Sequence, residues 1–214
     1  MDIVELWTMA SAAGVILDAG MRKNIERYCG ELKYWNEKIN LISRQDIDNI
    51  FIKHILHSLS ILKYVDIKNK ASVLDVGTGG GLPGIPIKIA RPDLRIVLLD
   101  SIAKKMKTTQ MLAAHTGLNN LEVVCERAED YCRESKKFDL IVARGVAPAL
   151  KIVEWTRSAL KENGTYALLK GGDLSEEVAS LKERSIDVKI EVKDLHMPGT
   201  NFLEEQKKIM IINF

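Results

Sequence analysis

The sequence has no long apolar run, few cysteines and no excess of charge of either sign. No stretch approaches the roughly 18 consecutive apolar residues that a membrane helix needs. Its three cysteines, Cys29, Cys125 and Cys132, include no C-x-x-C pair. That argues against a disulfide framework or a cysteine-rich zinc site and suits a reducing cytosol. The first residues carry acids where a signal peptide carries bases, so we expect no export and a cytoplasmic protein.

Charge and aromatic content limit the kinds of partner. The 31 basic and 29 acidic residues leave a formal charge of +2, so any nucleic-acid binding must depend on a local patch. Aromatic residues make up 6% of the chain, too few to expect a broad base-stacking surface. An apolar fraction of 46% in 214 residues is typical of a globular protein of one or two domains. Disordered, collagen-like and membrane classes are excluded.

The first part of the chain has a helical pattern. Apolar residues recur every three or four positions over Arg22–Ile39 and again over Asp46–Val65, as on one face of a helix. Asp46 is the expected N-cap of the second helix, and a polar break follows at Asp66–Lys70. We therefore expect residues 1–70 to form a helical extension and residues 71–214 to form a separate domain.

From Ala71 onward, strand-like and helix-like runs alternate. This alternation predicts an α/β, Rossmann-like fold whose sheet is mostly parallel and covered by helices on both faces. Two final runs without a helix between them predict an antiparallel hairpin at the C-terminus. The predicted strands are Ser72–Val76, Arg95–Asp100, Leu121–Cys125, Phe138–Ala143, Thr165–Lys170, Ile186–Leu195 and Lys208–Phe214, and the predicted helices are Ile85–Ala90, Ile102–Thr116, Leu150–Leu160 and Leu174–Arg184.

A glycine-rich loop follows the first predicted strand and precedes a helix. Two overlapping patterns occur in it: D-x-G-x-G-x-G from Asp75, typical of methyltransferases that use S-adenosylmethionine, and G-x-G-x-x-G from Gly79, the dinucleotide fingerprint. Asp100 ends the second predicted strand, where a carboxylate can accept hydrogen bonds from the two ribose hydroxyls of either ligand. Each pattern alone is a weak signal.

Three features favour the sulfonium cofactor over a dinucleotide. Asp75 is placed at the tip of the first strand to hold a cationic amino group, where it would repel an anionic pyrophosphate. The C-terminal hairpin is typical of methyltransferases. Finally, no residue is well placed for hydride chemistry. The Tyr166-x-x-x-Lys170 spacing falls on a predicted strand, where such residues are not neighbours as they are on a helix.

The chain resembles the bacterial small-subunit (16S) rRNA guanine-N7 methyltransferases, also called the glucose-inhibited division protein B family. The resemblance covers nearly the whole chain, and its most specific element is Gly-x-Gly-Leu-Pro-Gly-Ile-Pro at residues 79–86. The other elements that carry it are Trp35-Asn36, Asn40-Leu41, His54-Ile55-Leu56, Ser58-Leu59, Leu74-Asp75-Val76-Gly77-Thr78-Gly79, Leu99-Asp100-Ser101, Arg127-Ala128-Glu129, Arg144 and Leu169-Lys170-Gly171.

The resemblance implies a class I methyltransferase domain with S-adenosylmethionine as cofactor and 16S rRNA of the small ribosomal subunit as substrate. It places the methionine and sugar against Gly77, Gly79 and Leu82, the ribose against Asp100 and Ser101, and the adenine against Ala128 and Glu129. Arg144 would face the active cleft and contact both cofactor and target. The family pattern usually has Asp where His57 stands, and Arg before the last strand, where Lys207 and Lys208 follow Gln206.

The chemistry of guanine N7 explains why we name no general base. N7 has an exposed lone pair and needs no deprotonation, so orienting it in line with the methyl group supplies much of the acceleration. Arg144 and Lys170 are the candidate substrate contacts: Arg144 could donate to guanine O6 or a phosphate, or form an ion pair with Asp139 or Glu129. Lys170 could meet a phosphate or be a solvated strand-end lysine.

Other residues have plain structural interpretations. His54 and His57 share a helix face, and polar packing is favoured over metal binding, so we expect no metal site. Phe202 could stack on a flipped base, but edge packing is favoured. Lys104, Lys105 and Lys107 form either a solvated helix face or phosphate contacts.

Two alternative functions stay open at this point. One is a methyltransferase that acts on a small molecule, and the other is a non-catalytic RNA-binding module that keeps the cofactor fold. The sequence indicates no membrane partner, and we expect a monomer.

Overall fold

The computed structural model describes residues 2–134, 136–184 and 188–214. They form one seven-stranded sheet in the order β3-β2-β1-β4-β5-β7-β6. The first five strands are parallel, and β7 runs antiparallel between β5 and β6. The strands are β1 Ser72–Val76, β2 Arg95–Asp100, β3 Leu121–Cys125, β4 Phe138–Arg144, β5 Leu160–Gly171, β6 Lys189–Asp194 and β7 Lys207–Asn213.

Helices cover both faces of the sheet. Successive strand residues point to opposite faces, so Val73 joins the core beneath the N-terminal helices while Leu74 joins the core on the other side. The helices are α1 Ile3–Ala12, α2 Ala19–Asn36, α3 His57–Leu59, α4 Ile61–Tyr64, α5 Gly84–Ala90, α6 Ala103–His115, α7 Ala128–Glu134, α8 Ala149–Thr156 and α9 Ser175–Arg184. Among the described residues, no helix combines the length and apolarity that crossing a bilayer requires. The predicted α/β class and the antiparallel C-terminal hairpin are confirmed.

The prediction for Asp46–Val65 is wrong in form. The segment is broken into a 3₁₀ helix at Arg44–Asn49, a π-helix at Phe51–Leu56 and two short α-helices. Asp46 is not an N-cap: its carboxylate turns instead toward Lys53 (3.4 Å) and His54 (3.9 Å). Residues 54–61 are all buried, so this segment is enclosed on all sides, and an amphipathic stripe is the wrong template for it.

Several boundaries also differ from the predicted ones. Helix α2 begins three residues earlier than expected, where the side chain of Asp18 caps the amide of Met21. Leu160 starts β5 rather than ending a helix, because a 3₁₀ turn at Arg157–Ala159 separates the two. Helix α7 was missed, since its mostly polar sequence buries only Cys132. Ile186, where the next strand was expected to start, lies outside the described residues.

The sheet has one point where strand order reverses. From β1 the chain adds strands outward through β2 and β3, then returns to place β4 on the other side of β1. In open α/β sheets, ligands bind beyond the carboxyl ends of the strands at such a switch point. This predicts a site at the ends of β1, β2 and β4.

Candidate active site

The glycine loop after β1 bends back over the end of the sheet. Gly77, Gly79 and Gly81 all have positive φ, at +68°, +57° and +96°, which L side chains adopt only with strain. The amides of Gly77 and Thr78 both donate to the carbonyl of Leu99 on β2, at 2.8 and 3.0 Å. The loop therefore has a defined shape, with its glycines required by the backbone.

Gly77 also lies against the loop that follows β4. A Cβ at Gly77 would stand 2.5 Å from a methyl carbon of Val146, closer than packed carbon atoms come. This close approach links the first and fourth strand ends across the switch point.

Asp75 braces the glycine loop from inside. It is fully buried, and its Oδ2 accepts hydrogen bonds from the Thr78 hydroxyl (2.6 Å) and the Gly84 amide (2.8 Å). Oδ1 has no hydrogen-bond partner within the described part of the chain. Burial raises the pKa of this carboxyl to about 7, and its two hydrogen bonds oppose the shift. Asp75 lines neither cavity described below, so its contact with a cofactor amino group stays a prediction.

Asp100 holds the glycine loop to the start of α6. Its two oxygens accept from the amides of Gly79 and Ile102, each at 3.0 Å. A carboxylate has about four lone-pair sites, so it can still accept hydroxyl donors from a ligand. Asp100 lines both of the cavities described below. A carboxylate that binds a ribose would be needed there, between the nucleoside and amino-acid ends of the cofactor.

Two adjoining cavities open at the carboxyl ends of the strands. The larger, of about 850 Å³, and the smaller, of about 330 Å³, share five wall residues. The smaller also contains Ser101, Ala128 and Glu129, and the larger contains Gly79, Leu82, Arg144 and Lys170. The shared wall consists of Gly77, Asp100, Lys105, Gly145 and Val146.

Arg144 ends β4 at the wall of the larger cavity. One guanidinium nitrogen, Nη1, lies 2.7 Å from His54 Nδ1 and 3.3 Å from the carbonyl oxygen of Lys53. None of the ion pairs in the described ranges involves Arg144, so the alternative of an internal ion pair with Asp139 or Glu129 is not what the structure contains. Asp139 is instead paired with Lys161 at 2.8 Å.

Lys170 is neither solvated nor free for phosphate. Its Nζ donates to the Ala147 carbonyl and to Glu177 Oε2, both at 2.7 Å, and the same Glu177 oxygen accepts the Ala149 amide at 2.6 Å. The side chain of Lys170 is only 12% exposed. It therefore ties β5 and α9 to the loop that follows β4, and so supports the segment next to Arg144.

Sequence reasoning missed the outer wall of the larger cavity. That wall includes Asp46, Lys53 and Lys207, which come from two distant parts of the chain. His54 and His57 also line it and are buried, so the expected polar packing is correct but incomplete. Phe202 is fully buried with its ring centroid 5.5 Å from that of His57, which confirms edge packing over base stacking.

Helices from both parts of the chain hold the carbonyl groups of the glycine loop. From the N-terminal part, the hydroxyl of Tyr28 on α2 donates to the Gly80 carbonyl at 2.8 Å. From the other side, the hydroxyl of Thr109 on α6 donates to the Gly79 carbonyl at 2.6 Å. Leu32 and Leu41 pack against Gly80, where a Cβ would come within 2.9 Å of Leu32. The glycine loop is thus enclosed between the sheet and the extension.

A family comparison identifies the group to which this site belongs. A model described as GidB, rRNA small subunit methyltransferase G, matches residues 21–210. The chain belongs to this family. The resemblance stated from the sequence motifs is therefore confirmed, and the protein is a methyltransferase with S-adenosylmethionine as its cofactor.

Curated relatives carry the same family name over most of their length. The protein named ribosomal RNA small subunit methyltransferase G from Pelodictyon phaeoclathratiforme is 34% identical over 99% of this chain and 93% of its own. A protein of the same name from Flavobacterium johnsoniae is 46% identical over 67% of this chain and 70% of its own.

Solved structures agree on the fold. A precorrin-6y C5,15-methyltransferase from Geobacter metallireducens has a TM-score of 0.58 at 16% identity and covers 82% of this chain and 92% of its own. A ribosomal protein L11 methylase from Lactobacillus delbrueckii has a TM-score of 0.54 at 22% identity, covering 74% and 76%. At these identities the likeness concerns the fold, which is that of class I methyltransferases.

The cavities fit the cofactor. S-Adenosylmethionine is an extended molecule with a nucleoside at one end and a charged amino acid at the other. Glu129 and the apolar side chain of Val146 line the smaller cavity, and the glycine loop lines the larger. A carboxylate beside an apolar surface would suit an adenine. Asp100 lies on the wall common to both, where the ribose would cross. A partly buried carboxylate at that point suits a ligand with two vicinal hydroxyls.

Proposed function

We propose that the protein transfers the methyl group of S-adenosylmethionine to N7 of a specific guanosine in the 16S rRNA of the small ribosomal subunit. Family membership over residues 21–210 is the observation that carries this proposal. The geometry supports it, because the larger cavity extends from the glycine loop to the partly buried guanidinium of Arg144. A nucleobase entering this pocket would approach the methyl group from the side of Arg144.

The division of labour among the residues follows from their positions. Gly77, Gly79 and Leu82 would hold the methionine end, Asp100 and Ser101 the ribose, and Ala128 and Glu129 the adenine. The bound cofactor supplies an electrophilic methyl group on a sulfonium. The protein's own task is to orient guanine N7 in line with that methyl group, which needs no proton transfer before attack.

Arg144 is the residue best placed to orient the base. A guanidinium can donate two hydrogen bonds in one plane, and guanine O6 lies next to N7 on the same edge of the base. A cationic donor at O6 does not stabilise the positive charge that spreads over the purine as N7 is methylated, so its effect is to align the N7 lone pair. Lys170 supports this arrangement indirectly through the loop after β4.

The surroundings of the cavity suit an anionic substrate. Lys53, Lys105 and Lys207 line it. Lys53 lies 3.4 Å from Asp46 and Lys207 lies 3.8 Å from Glu205, so these carboxylates partly balance their charge. The three lysines would supply the local positive charge that a chain of net charge +2 needs in order to meet a phosphate backbone. We propose that the working form is a cytoplasmic monomer, since residues of one chain line both cavities.

The test is methyl transfer with labelled cofactor. The protein is incubated with small ribosomal subunits, with bare 16S rRNA and with a metabolite extract, and labelled RNA is mapped by strand scission at N7-methylguanosine. Label at one guanosine of the rRNA is the expected result. Label only in a small molecule would identify a different substrate class, and cofactor binding without any transfer would identify a non-catalytic module.

A further inference from the structure

Arg144 has an unusual partner for a partly buried cation. Within the described residues, Nη1 of Arg144 donates to His54 Nδ1 at 2.7 Å and to the Lys53 carbonyl at 3.3 Å. Both acceptors are neutral. Burial lowers the pKa of the guanidinium, but arginine stays charged at physiological pH. Within the described residues no carboxylate forms an ion pair with Arg144, although Asp75 and Asp46 are near enough to raise its pKa. The N–H groups of the guanidinium that these contacts leave over can therefore still bind a ligand.

The contact decides which nitrogen of His54 carries a proton. A guanidinium has five N–H donors and no acceptor, so His54 Nδ1 must accept and must be unprotonated. The proton of the neutral ring is then on Nε2, which has no hydrogen-bond partner within the described residues. Asp46 Oδ2 lies 3.9 Å from Nε2, which is beyond hydrogen-bond distance.

The groups around His54 keep it neutral. Burial and Arg144 on β4 lower the pKa of His54 to about 3, Lys207 on β7 and Lys53 on the same π-helix act in the same direction, and Asp46 in the 3₁₀ helix opposes them. His57 on α3 is also buried and neutral, since burial and Arg144 lower its pKa. A neutral imidazole can accept from Arg144, whereas a charged one would repel it.

We infer that His54 is a positioning residue, which accepts a hydrogen bond from Arg144 through Nδ1 and so aims the guanidinium into the substrate side of the larger cavity. The inference rests on the proposed function for the identity of the substrate. It also gives the π-helix a role, because the wide turn at Phe51–Leu56 presents the ring of His54 and the carbonyl of Lys53 to the same nitrogen. π-Helical turns are frequent at functional sites.

Two substitutions of similar polarity separate positioning from packing. In His54→Asn, the amide oxygen is two bonds from Cβ, as Nδ1 is, and can accept from Arg144. In His54→Gln, the oxygen is three bonds from Cβ, as Nε2 is, and lies beyond the guanidinium. His54→Leu removes the acceptor. We expect kcat/KM for small-subunit methylation to fall about 10- to 100-fold in the Gln and Leu variants, the range of a hydrogen bond to a charged group, and to stay within about threefold in the Asn variant.

A double-mutant cycle tests whether His54 acts through Arg144. In an Arg144→Gln background, His54→Leu should change kcat/KM by less than about twofold, because the group it positions is already absent. Equal losses in both backgrounds, or equal activity in the Asn and Gln variants, would overturn the inference. His115→Asn is the matched control, since His115 is half exposed and pairs with Glu31 away from both cavities.

Nuclear magnetic resonance of the ring nitrogens gives a readout that does not depend on activity. With ¹⁵N-labelled histidine, His54 should show a neutral ring protonated at Nε2 at pH 7, and its Nδ1 resonance should shift in Arg144→Gln. A proton on Nδ1 would exclude the contact. If the wild type labels no rRNA while this signature is present, the proposed function fails and the positioning contact stands, so the two failures are distinguishable. The signature also tests the inference if His54→Leu does not fold.

Discussion

The two halves of the proposed site, one for the cofactor and one for the substrate, are built in different ways. The cofactor half consists of the loops after β1, β2 and β3, and its residues follow strand ends at short intervals along the chain. The substrate half brings together the 3₁₀ helix and π-helix of the N-terminal part, the end of β4 and the start of β7. Local backbone chemistry specifies the first half, and long-range packing specifies the second.

This contrast predicts that the two halves differ in their tolerance to amino-acid substitution. A loop with positive φ at three glycines and buried backbone hydrogen bonds has one working shape. A wall of side chains drawn from separate elements can change one member without losing the others. Substitutions of the positive-φ glycines in the cofactor half should therefore weaken cofactor binding strongly, while those in the substrate half should change orientation and specificity.

The largest effect is expected from Gly77→Ala. The new methyl group would meet Val146 at 2.5 Å in a backbone with φ +68°, so both strain and overlap oppose the native loop. We expect affinity for S-adenosylhomocysteine, measured by calorimetry, to fall on the order of 100-fold, as about 3 kcal/mol of combined strain and overpacking implies. The control is Gly117→Ala, where φ is +66° but no atom lies within 4 Å of the added Cβ. Unchanged affinity in Gly77→Ala would contradict the close approach.

Arg144→Gln tests whether the guanidinium contributes to substrate orientation or to cofactor binding. We expect kcat for small-subunit methylation to fall on the order of 100-fold, because the donor that orients the base is lost. The affinity for S-adenosylhomocysteine should change by less than about fivefold. A larger loss of that affinity than of kcat would move Arg144 to the cofactor half. Lys161→Gln, which removes a surface partner of Asp139, is the control for loss of positive charge.

Asp75→Asn tests whether charge or shape matters inside the cofactor half. The amide keeps an oxygen for the Thr78 hydroxyl and the Gly84 amide, so loop bracing alone predicts a loss of affinity under about threefold, whereas an electrostatic hold on the cofactor amine predicts more than about tenfold.

Asp75→Asn should also flatten the dependence of the free energy of unfolding on pH. The pKa of Asp75 rises from about 4 in the unfolded chain to about 7 in the folded protein. Its contribution to stability is therefore full below pH 4 and is lost as the pH rises through 7. Urea unfolding between pH 5 and 8 measures this difference from wild type.

Tyr28→Phe should have the smallest effect and tests whether the N-terminal part belongs to the cofactor half. The change removes one buried hydrogen bond to the Gly80 carbonyl, which is worth about 1 kcal/mol. We expect a loss of S-adenosylhomocysteine affinity of about three- to fivefold, measured by calorimetry. Tyr34→Phe, on the exposed face of the same helix, is the control. Equal affinities for both variants would show that α2 only covers the loop.

How far the sequence predicted the site depends on the half considered. Gly77, Asp100, Ser101, Ala128 and Glu129 were expected near the cofactor, and all of them line the cavities at the strand ends. Their signal is local, since each follows a strand whose apolar pattern is visible. Lys170 was a candidate for phosphate contact, but its partners Ala147 and Glu177 become neighbours only when β5 and α9 pack.

The substrate half carried no comparable signal. An i, i+3 pair of histidines on an expected amphipathic helix gives no sign that one of them accepts a hydrogen bond from Arg144, 90 residues later in the chain. The π-helical turn that makes this contact overlaps a run of buried residues, 54–61. No periodicity in the chain reports such burial.

The sequence by itself determined the strands, their alternation with helices and the glycine loop, because hydrophobic period and backbone conformation are properties of neighbouring residues. Only the tertiary structure decided that Asp75 braces the loop from inside, that Lys170 supports the segment after β4 and that His54 accepts from Arg144. Each of those roles depends on which distant groups lie within about 3 Å, and that distance is a consequence of packing the whole chain.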